Sequence, residues 1–254
     1  MFSIKKYLIE LLERKYKDWD ISIALRYLPI VETIKSDYSP KVKILEIGSG
    51  NLGVLPYLDD RYSITGVDVN FGSEIHPRLK PVIVSDVKLP FADNSFDLVI
   101  SVDVLEHIPE TDRKVFLSEC IRVTKKQLFL AFPSGSYAKF ADSFLDRYYR
   151  FTHKQPFPFL SEHKANGLPD KKQTVSRLKS PLEKMGKQAD MKVFGNTNVF
   201  LWIFLLILGF SQVTFLTFIF RLLPIFLGLF KHMHFWPTYR QIIFVNIKDN
   251  SQKS

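Results

Sequence analysis

A glycine-rich turn at residues 46–53 is the first stretch whose residue types and spacing indicate chemistry. Glu46 lies in a short apolar run and is followed by Gly48, Gly50 and Gly53. Glycines allow a tight backbone turn and a close approach to a ligand. The spacing alone also matches the G-x-G-x-x-G of a dinucleotide site, which is weak support. An acid two residues before the first glycine would face a pyrophosphate, so Glu46 favours a ligand with an amine, which its carboxylate could meet directly or through water.

A second acid, Asp68, follows the next predicted strand, residues 63–67. A carboxylate at the end of this strand can accept hydrogen bonds from both hydroxyls of a ribose. This feature supports a nucleoside ligand and suits either a dinucleotide or another nucleoside.

A third patch decides between these ligands. Residues 86–101 read DVKLPFADNSFDLVIS and lead into VLEHI at 104–108. With the glycine turn and Asp68, this run resembles the class I S-adenosylmethionine-dependent methyltransferases. Within them it resembles methyltransferase type 11 and the ubiquinone/menaquinone-methyltransferase-like group. Four blocks in the right order and spacing carry the resemblance over about residues 42–135. One departure is Leu52, since the family usually has its third glycine there.

The resemblance implies a site for S-adenosylmethionine as cofactor. Its predicted residues are Glu46, Gly48, Ser49, Gly50, Asp68, Val69, Asp86, Val87, Ser101 and Val102. Glu46 and the first two glycines would line the methionine end, Asp68 would hold the ribose, and Asp86 would accept from the adenine amino group. The cofactor carries no phosphate, so an acidic site suits it.

His107, just beyond the fourth strand, is the candidate catalytic residue, although a purely local hydrogen bond would also explain it. Methyl transfer needs proximity and alignment most of all. A general base is required only if the acceptor holds its proton tightly. His153, Glu162 and His163 are further candidates for a base, and no metal ligands are predicted.

The elements that must position these residues follow from hydrophobic patterning. Apolar runs alternate with helical or turn segments, and this predicts an α/β fold with a doubly wound, seven-stranded, mostly parallel sheet. Ligands bind such sheets at the carboxyl ends of the strands. The predicted strands are 42–47, 63–67, 81–84, 97–101, 127–132, 191–194 and 240–248.

The predicted domain division is N-terminal helices at 1–40 and a methyltransferase domain at 41–254. Helices are expected at about Ser3–Tyr16, after a cap at Asp20, and at 110–123. Residues 137–187 form a predicted substrate-side region, with a loop at 152–172 and a helix at about 175–187. Within it, residues 160–169 are the candidate acceptor-side element.

Charge is unevenly divided along the 254 residues. Residues 1–138 contain 18 Lys and Arg against 19 Asp and Glu, whereas residues 139–254 contain 17 against 7. An anionic partner is therefore expected for the second half, either nucleic acid or lipid headgroups. The single cysteine, Cys120, excludes an intramolecular disulfide and fits a reducing compartment. Residues 1–17 do not resemble a signal peptide, so a cytoplasmic location is expected.

An apolar run at 199–220 contains no charged residue and is long enough to span a bilayer. In the family, however, the strands before and after it pair antiparallel, so both ends must lie on one side of a membrane. Residues 198–236 are therefore predicted to form a hydrophobic insertion with helices at about 198–210 and 213–230, lying at a membrane surface. The flanks are basic and aromatic: Lys184, Lys187, Lys192, Trp202, Lys231, His232, His234, Trp236 and Arg240. A dimer interface or a lid over an apolar substrate is the alternative. Nucleic acid is not expected, because the aromatics are not interleaved with arginine.

The leading hypothesis is a methyltransferase at the cytoplasmic face of a membrane, peripheral or monotopic, with a small-molecule or lipid-linked acceptor. That acceptor is a lipid, a quinone-like compound or a lipid-linked glycan. A membrane-bound scaffold that has lost catalysis is the alternative from another class, and three retained acids argue against it. A soluble dehydrogenase is disfavoured by the patch at 86–101. The sequence does not predict the oligomeric state or the acceptor atom.

Overall fold

The computed structural model describes residues 19–248, and within them the chain forms a seven-stranded, mostly parallel sheet. The strands are β1 (Ile44–Ile47), β2 (Ile64–Asp68), β3 (Leu79–Ile83), β4 (Phe96–Val102), β5 (Thr124–Pro133), β6 (Ala189–Asn198) and β7 (Thr238–Ile247). Their order is β3-β2-β1-β4-β5-β7-β6, with β7 antiparallel to both of its neighbours. The strand order reverses between β1 and β4, so ligands are expected at the carboxyl ends of these strands.

Helices cover both faces of this sheet. They are α1 (Ile21–Asp37), α2 (Arg113–Val123), α3 (Gly135–His153), α4 (Pro158–Asn166), α5 (Lys171–Lys184), α6 (Val199–Gly209), α7 (Thr214–Leu222) and α8 (Leu227–Phe230). One hydrophobic cluster packs α1 against one face, and a second packs α2 and α5 against the other. Residues 48–95 contain no α-helix, so the connections from β1 to β4 are loops and one 3-10 turn, Leu55–Tyr57.

The first described helix begins where the sequence predicted. The Asp20 carboxylate accepts hydrogen bonds from the backbone N–H groups of Ser22 and Ile23 and so caps α1. Pro29 lies inside this helix without ending it. The helix predicted at residues 3–16 and the polar tail at 249–254 lie outside the described residues.

The prediction was wrong for the region between β5 and β6. The predicted loop at 152–172 contains α4, and residues 135–153 form the long helix α3. Pro158 lies in the first turn of α4. A backbone N–H at this position would have no acceptor within the helix, so proline removes no hydrogen bond there. Helix α5 begins at Lys171 behind an Asp170 cap, four residues before the predicted start.

The apolar run is divided much as predicted. It forms α6, then α7, a 3-10 turn at Leu223–Phe226 that contains Pro224, and α8. These elements connect β6 to β7, whose antiparallel pairing was predicted. In the part of the chain that the structure describes, no helix is long and apolar enough to cross a membrane.

Candidate functional site

The glycine turn after β1 is tied to the end of β2 by one carboxylate. The Gly50 N–H donates to Asp68 Oδ2 over 2.8 Å, and the Val69 N–H donates to Asp68 Oδ1 over 2.7 Å. Gly50 has φ of +53°, which only glycine adopts without strain. A Cβ built there would meet nothing within 4 Å, so the turn faces open space. The backbone can therefore come close to a ligand at this edge.

Glu46 lies at the end of β1, before the glycine turn, and its side chain points into the protein. Its side chain is fully buried, and its carboxylate accepts from the Tyr27 hydroxyl over 2.6 Å and from the Val54 N–H over 2.8 Å. Burial raises the pKa of Glu46 to about 7, although the two hydrogen bonds act to lower it. A direct contact between this carboxylate and a ligand amine is incompatible with its burial. Glu46 instead supports the turn from behind, and a Cβ on Gly53 would collide with it.

The other predicted cofactor residues lie along the same edge of the sheet. Ser101 pairs with Ile47 across β4 and β1, so it sits beside the start of the glycine turn. Asp86 is exposed in the loop after β3, and Val87 beside it is partly buried. Ser101, Val102 and Ser49 are buried, whereas Val69 is exposed. The exposed Asp86, the half-buried Asp68 and the open turn suit a phosphate-free nucleoside that carries an amine.

Beyond β4 the chain enters a buried ionic cluster that the sequence did not reveal. Asp103 has φ of +53°, and its carboxylate contacts Arg240 over 2.6 Å and Arg26 over 2.9 Å. Burial opposes ionisation of Asp103, but the two arginines outweigh it and hold the pKa of this carboxyl below its usual value. Both guanidiniums also lie over the ring of Trp202, at 4.1 Å and 5.1 Å from its centroid.

Arg240 and Trp202 therefore contradict the prediction that they flank the apolar run at a lipid surface. Both are buried, and Trp202 stacks on Tyr239. Lys187 also differs, because its ammonium donates to backbone carbonyls at the end of α2. Lys231, His232 and Trp236 are exposed, as the prediction requires.

His107 and His163 come together although they lie far apart in sequence. Their ring centroids are 4.9 Å apart. His107 Nδ1 lies 2.6 Å from Glu162 Oε2, and His163 Nδ1 lies 2.9 Å from Asp142 Oδ2. Burial, and then the neighbouring His163, lower the pKa of His107, although Glu162 acts to raise it. His153 does not join them; it stacks on Tyr149.

Glu106 is the third member of this group. Its carboxyl group is fully buried, and neither oxygen has a hydrogen-bond partner from another residue in the described chain. Burial, and then the charge of Asp103, raise the pKa of Glu106 well above its usual value. The nearest ring nitrogen, His163 Nε2, lies 3.9 Å away.

The segment from Leu160 to Pro169 is held against the turn that follows β4. Buried Arg113 donates to the carbonyls of Leu105 and Ile108 and also to those of Asn166 and Gly167. The Asn166 side chain donates to the His107 carbonyl over 2.9 Å. The predicted acceptor-side element thus lies beside the predicted catalytic residue.

A cavity of about 360 Å³ opens over this group. Its polar lining includes Asp103, Glu106, His107 and His163, and its apolar lining includes Phe157, Phe159, Leu206 and Phe210. A second cavity, of about 610 Å³, adjoins it at Leu160 and His163 and has a charged lining from α3. The first cavity lies next to the end of β4, so we take it as the candidate acceptor site.

Sequence reasoning missed Asp142, Tyr239 and Arg26. Asp142 lies on the apolar stripe of α3 with Ala138, Ala141 and Leu145, and a carboxylate in such a stripe signals a buried partner. The Tyr239 hydroxyl donates to Asp142 Oδ1 over 2.6 Å, and so Tyr239 also helps to orient His163.

One known protein family matches the part of the chain that contains the glycine turn, the acids Glu46, Asp68 and Asp86, and the segment after β4. Residues 45–132 match the family described as Methyltransferase domain. This match covers about a third of the chain and identifies a methyltransferase domain of the class I S-adenosylmethionine-dependent type. The ubiquinone-like subgroup stays a prediction. No curated protein matches the chain.

Solved structures similar to this methyltransferase confirm its Rossmann-like methyltransferase fold. Magnesium protoporphyrin IX methyltransferase (ChlM) from Synechocystis PCC 6803, solved with bound SAH, is 12% identical with a TM-score of 0.52. The match covers 90% of this chain and 84% of that chain. The [4+2]-cyclase SpnF is 16% identical with a TM-score of 0.51, covering 88% of this chain and 81% of that chain. The second name shows that the fold alone does not fix the reaction.

The match to a methyltransferase domain makes S-adenosylmethionine the cofactor of this protein. An open glycine turn and carboxylates at the strand ends fit a nucleoside with an amino-acid tail. The matched residues end at β5, so the helices and strands that form the candidate acceptor cavity lie mostly outside the match.

Proposed function

We propose that this methyltransferase transfers a methyl group to an amphipathic acceptor at a membrane surface. The acceptor class is a lipid, a quinone-like compound or a lipid-linked glycan. The observation that carries the proposal is that the chain runs directly from the end of β4, at the proposed cofactor edge, into the lining of the cavity. Ser101 and Val102 lie at the proposed cofactor edge, and Glu106 and His107 line the cavity a few residues later.

The proposed cofactor contacts follow the geometry of the sheet edge. Asp68 would accept from the ribose hydroxyls, Asp86 would accept from the adenine amino group with Val87 beside the ring, and Gly48 to Gly50 would carry the methionine end. When bound, S-adenosylmethionine supplies an electrophilic methyl group on a sulfonium. Ser49, Val69, Ser101 and Val102 complete the proposed contacts, and Glu46 acts through the turn that it supports.

His107 is the proposed catalytic residue, since its imidazole lines the cavity and is oriented by Glu162. The two linings of the cavity suit the two ends of an amphipathic acceptor. The aromatic side chains would bury an apolar body, while the polar side chains would meet its reactive head. Proximity and orientation in such a cavity supply most of what methyl transfer requires.

The apolar helices support a membrane as the partner. No residue of α7 or α8 is buried. Exposed side chains include Phe215 at 68%, Leu229 at 69% and Trp236 at 73%. Exposed apolar patches of this kind mark interaction surfaces. Arg221, Lys231 and His232 are exposed in the same segment, and basic residues beside an apolar insertion attract anionic lipid headgroups.

Cofactor binding is the first test. Calorimetry on detergent-solubilised wild type is expected to show micromolar binding of S-adenosylmethionine, and Asp68→Ala is expected to weaken it by about 100-fold, because hydrogen bonds to a charged group contribute about 1.5–3 kcal/mol each. Asp93→Ala is the matched control, since Asp93 is exposed away from the glycine turn and pairs with Arg122. No binding by folded wild-type protein would contradict the enzyme hypothesis and favour a catalytically inactive scaffold.

Vesicle sedimentation tests the membrane surface. The triple change Phe215→Ser, Leu229→Ser and Trp236→Ser is expected to weaken binding to phosphatidylglycerol vesicles more than 10-fold, because each large apolar side chain contributes about 1.5–3 kcal/mol on burial. The control is Ile83→Ser with Val115→Ser, which are exposed apolar residues outside the insertion. Equal binding by both variants would favour a dimer interface or a lid.

A further inference from the structure

The candidate acceptor cavity contains a group of side chains that the proposed cofactor site does not use. We propose that Glu106, His107 and His163 form a binding site for a divalent transition-metal cation such as Zn²⁺. The inference rests on the proposed function only in placing the acceptor beside this site. The metal site itself follows from the geometry of three side chains.

The three residues each present one ligand atom, and these atoms all lie within 4.8 Å of one another. A tetrahedral cation bound at about 2.1 Å needs ligand atoms about 3.4 Å apart. Small side-chain rotations would therefore close the site. Two imidazoles and one carboxylate are a ligand set that zinc and similar transition metals use, whereas magnesium and calcium prefer oxygen ligands alone.

The Glu106 carboxylate is the strongest indication of a missing ligand. It is fully buried, and neither oxygen has a hydrogen-bond partner from another described residue. An ionised carboxylate that is buried without hydrogen-bond partners is unfavourable. A cation bound between Glu106 and the two imidazoles would satisfy this group, and the 3.9 Å between Glu106 Oε1 and His163 Nε2 places the carboxylate toward it.

The imidazoles are oriented as metal ligands are. Each Nδ1 atom already faces a carboxylate, Glu162 for His107 and Asp142 for His163. These contacts fix the ring and the tautomer and leave Nε2 to bind a cation, which is the usual arrangement of the outer shell around a metal-bound histidine. The Tyr239 hydroxyl holds Asp142 in turn.

Carboxyl groups adjoin both histidines of the proposed metal site. Glu162 lies beside His107, and Asp142 lies beside His163. The guanidiniums of Arg26 and Arg240 are paired with Asp103. Three protein ligands would leave one position open toward the cavity, and an oxygen or nitrogen of the acceptor could occupy it.

The test uses tag-free, detergent-solubilised, full-length protein that has been stripped with a chelator and then titrated with Zn²⁺ or Co²⁺. One equivalent of Zn²⁺ by elemental analysis and the visible absorption of tetrahedral Co²⁺ are expected. Glu106→Gln and His163→Gln should each weaken binding at least 100-fold, while the matched control His153→Gln should bind as wild type does. Binding of S-adenosylmethionine, measured on every variant, reports folding and the cofactor site separately.

The possible outcomes separate the two proposals. Wild-type protein that binds S-adenosylmethionine but no Zn²⁺ or Co²⁺ would overturn the metal site and leave the proposed function standing. Metal binding that survives both Glu106→Gln and His163→Gln would overturn the assignment to this group. Metal binding without binding of S-adenosylmethionine would support the metal site and contradict the proposed function.

Discussion

The proposed cofactor edge and the acceptor cavity both adjoin the end of strand β4, but their acidic side chains differ in burial and in hydrogen bonding. At the cofactor edge, Asp68 faces backbone N–H groups across a turn that opens to solvent. In the cavity, Glu106 is buried without a hydrogen bond from another described residue, and Asp103, which is partly buried, lies between two arginines. The polar groups of the edge are already hydrogen-bonded, whereas the cavity contains a buried carboxyl group that no other described residue hydrogen-bonds. A ligand therefore changes the energetics of the cavity more than those of the edge.

The largest effect is expected from breaking the buried ion pairs of the cavity. Asp103→Asn keeps the side-chain shape and tolerates the positive φ, but it leaves Arg26 and Arg240 without their counter-charge. The free energy of unfolding in urea should fall by about 3–5 kcal/mol. Asp190→Asn, which removes an exposed pair with Lys248, is the matched control and should change it by less than about 1 kcal/mol. Similar losses in both variants would show that the cavity is not the more sensitive region.

A smaller effect is expected from the buried side of the cofactor edge. The pKa of Glu46 is about 7 in the folded protein, above its value of about 4.3 in an unfolded chain. Its contribution to stability is therefore complete below about pH 4.3 and is lost as the pH rises through 7. Relative to Glu46→Gln, the wild type should lose about 3 kcal/mol between pH 4.5 and 7.5. Urea unfolding at several pH values measures this difference, and a constant difference would contradict the buried, neutral carboxyl.

The smallest change in stability is expected at the open side of the same edge. Gly50→Ala meets no neighbouring atom, so only the positive φ is unfavourable, by about 1–2 kcal/mol. The added methyl group would occupy the space proposed for the cofactor, so affinity for S-adenosylmethionine should fall by more than 10-fold in calorimetry. Gly135→Ala is the control, since Gly135 also has a positive φ and open space. Unchanged affinity in Gly50→Ala would place the cofactor elsewhere.

The same contrast explains what the sequence could predict. The cofactor edge depends on contiguous motifs at the ends of short apolar strands. The spacing of these residues in the sequence therefore predicts its strands and its glycine turn. The cavity depends on contacts between distant residues, such as Asp142 with Tyr239 and His107 with Glu162. No local pattern determines which of several acids each histidine meets. Even at the edge, the rotamer that buries Glu46 depends on Tyr27 from α1, which the motif does not contain.

The antiparallel pairing of Asn198 with Thr238 has a consequence for chain entropy and design. The apolar segment leaves the sheet and returns to it at one point, so it is a closed loop whose ends are fixed by a single pair of strands. The entropy of closing such a loop grows only with the logarithm of its length, by about 0.6 kcal/mol for each doubling. Loop closure alone therefore makes the stability of the sheet nearly independent of the length of this segment. A shorter or longer apolar segment could replace the residues after α6, provided that the buried contacts of α6 with α1 and α3 are kept.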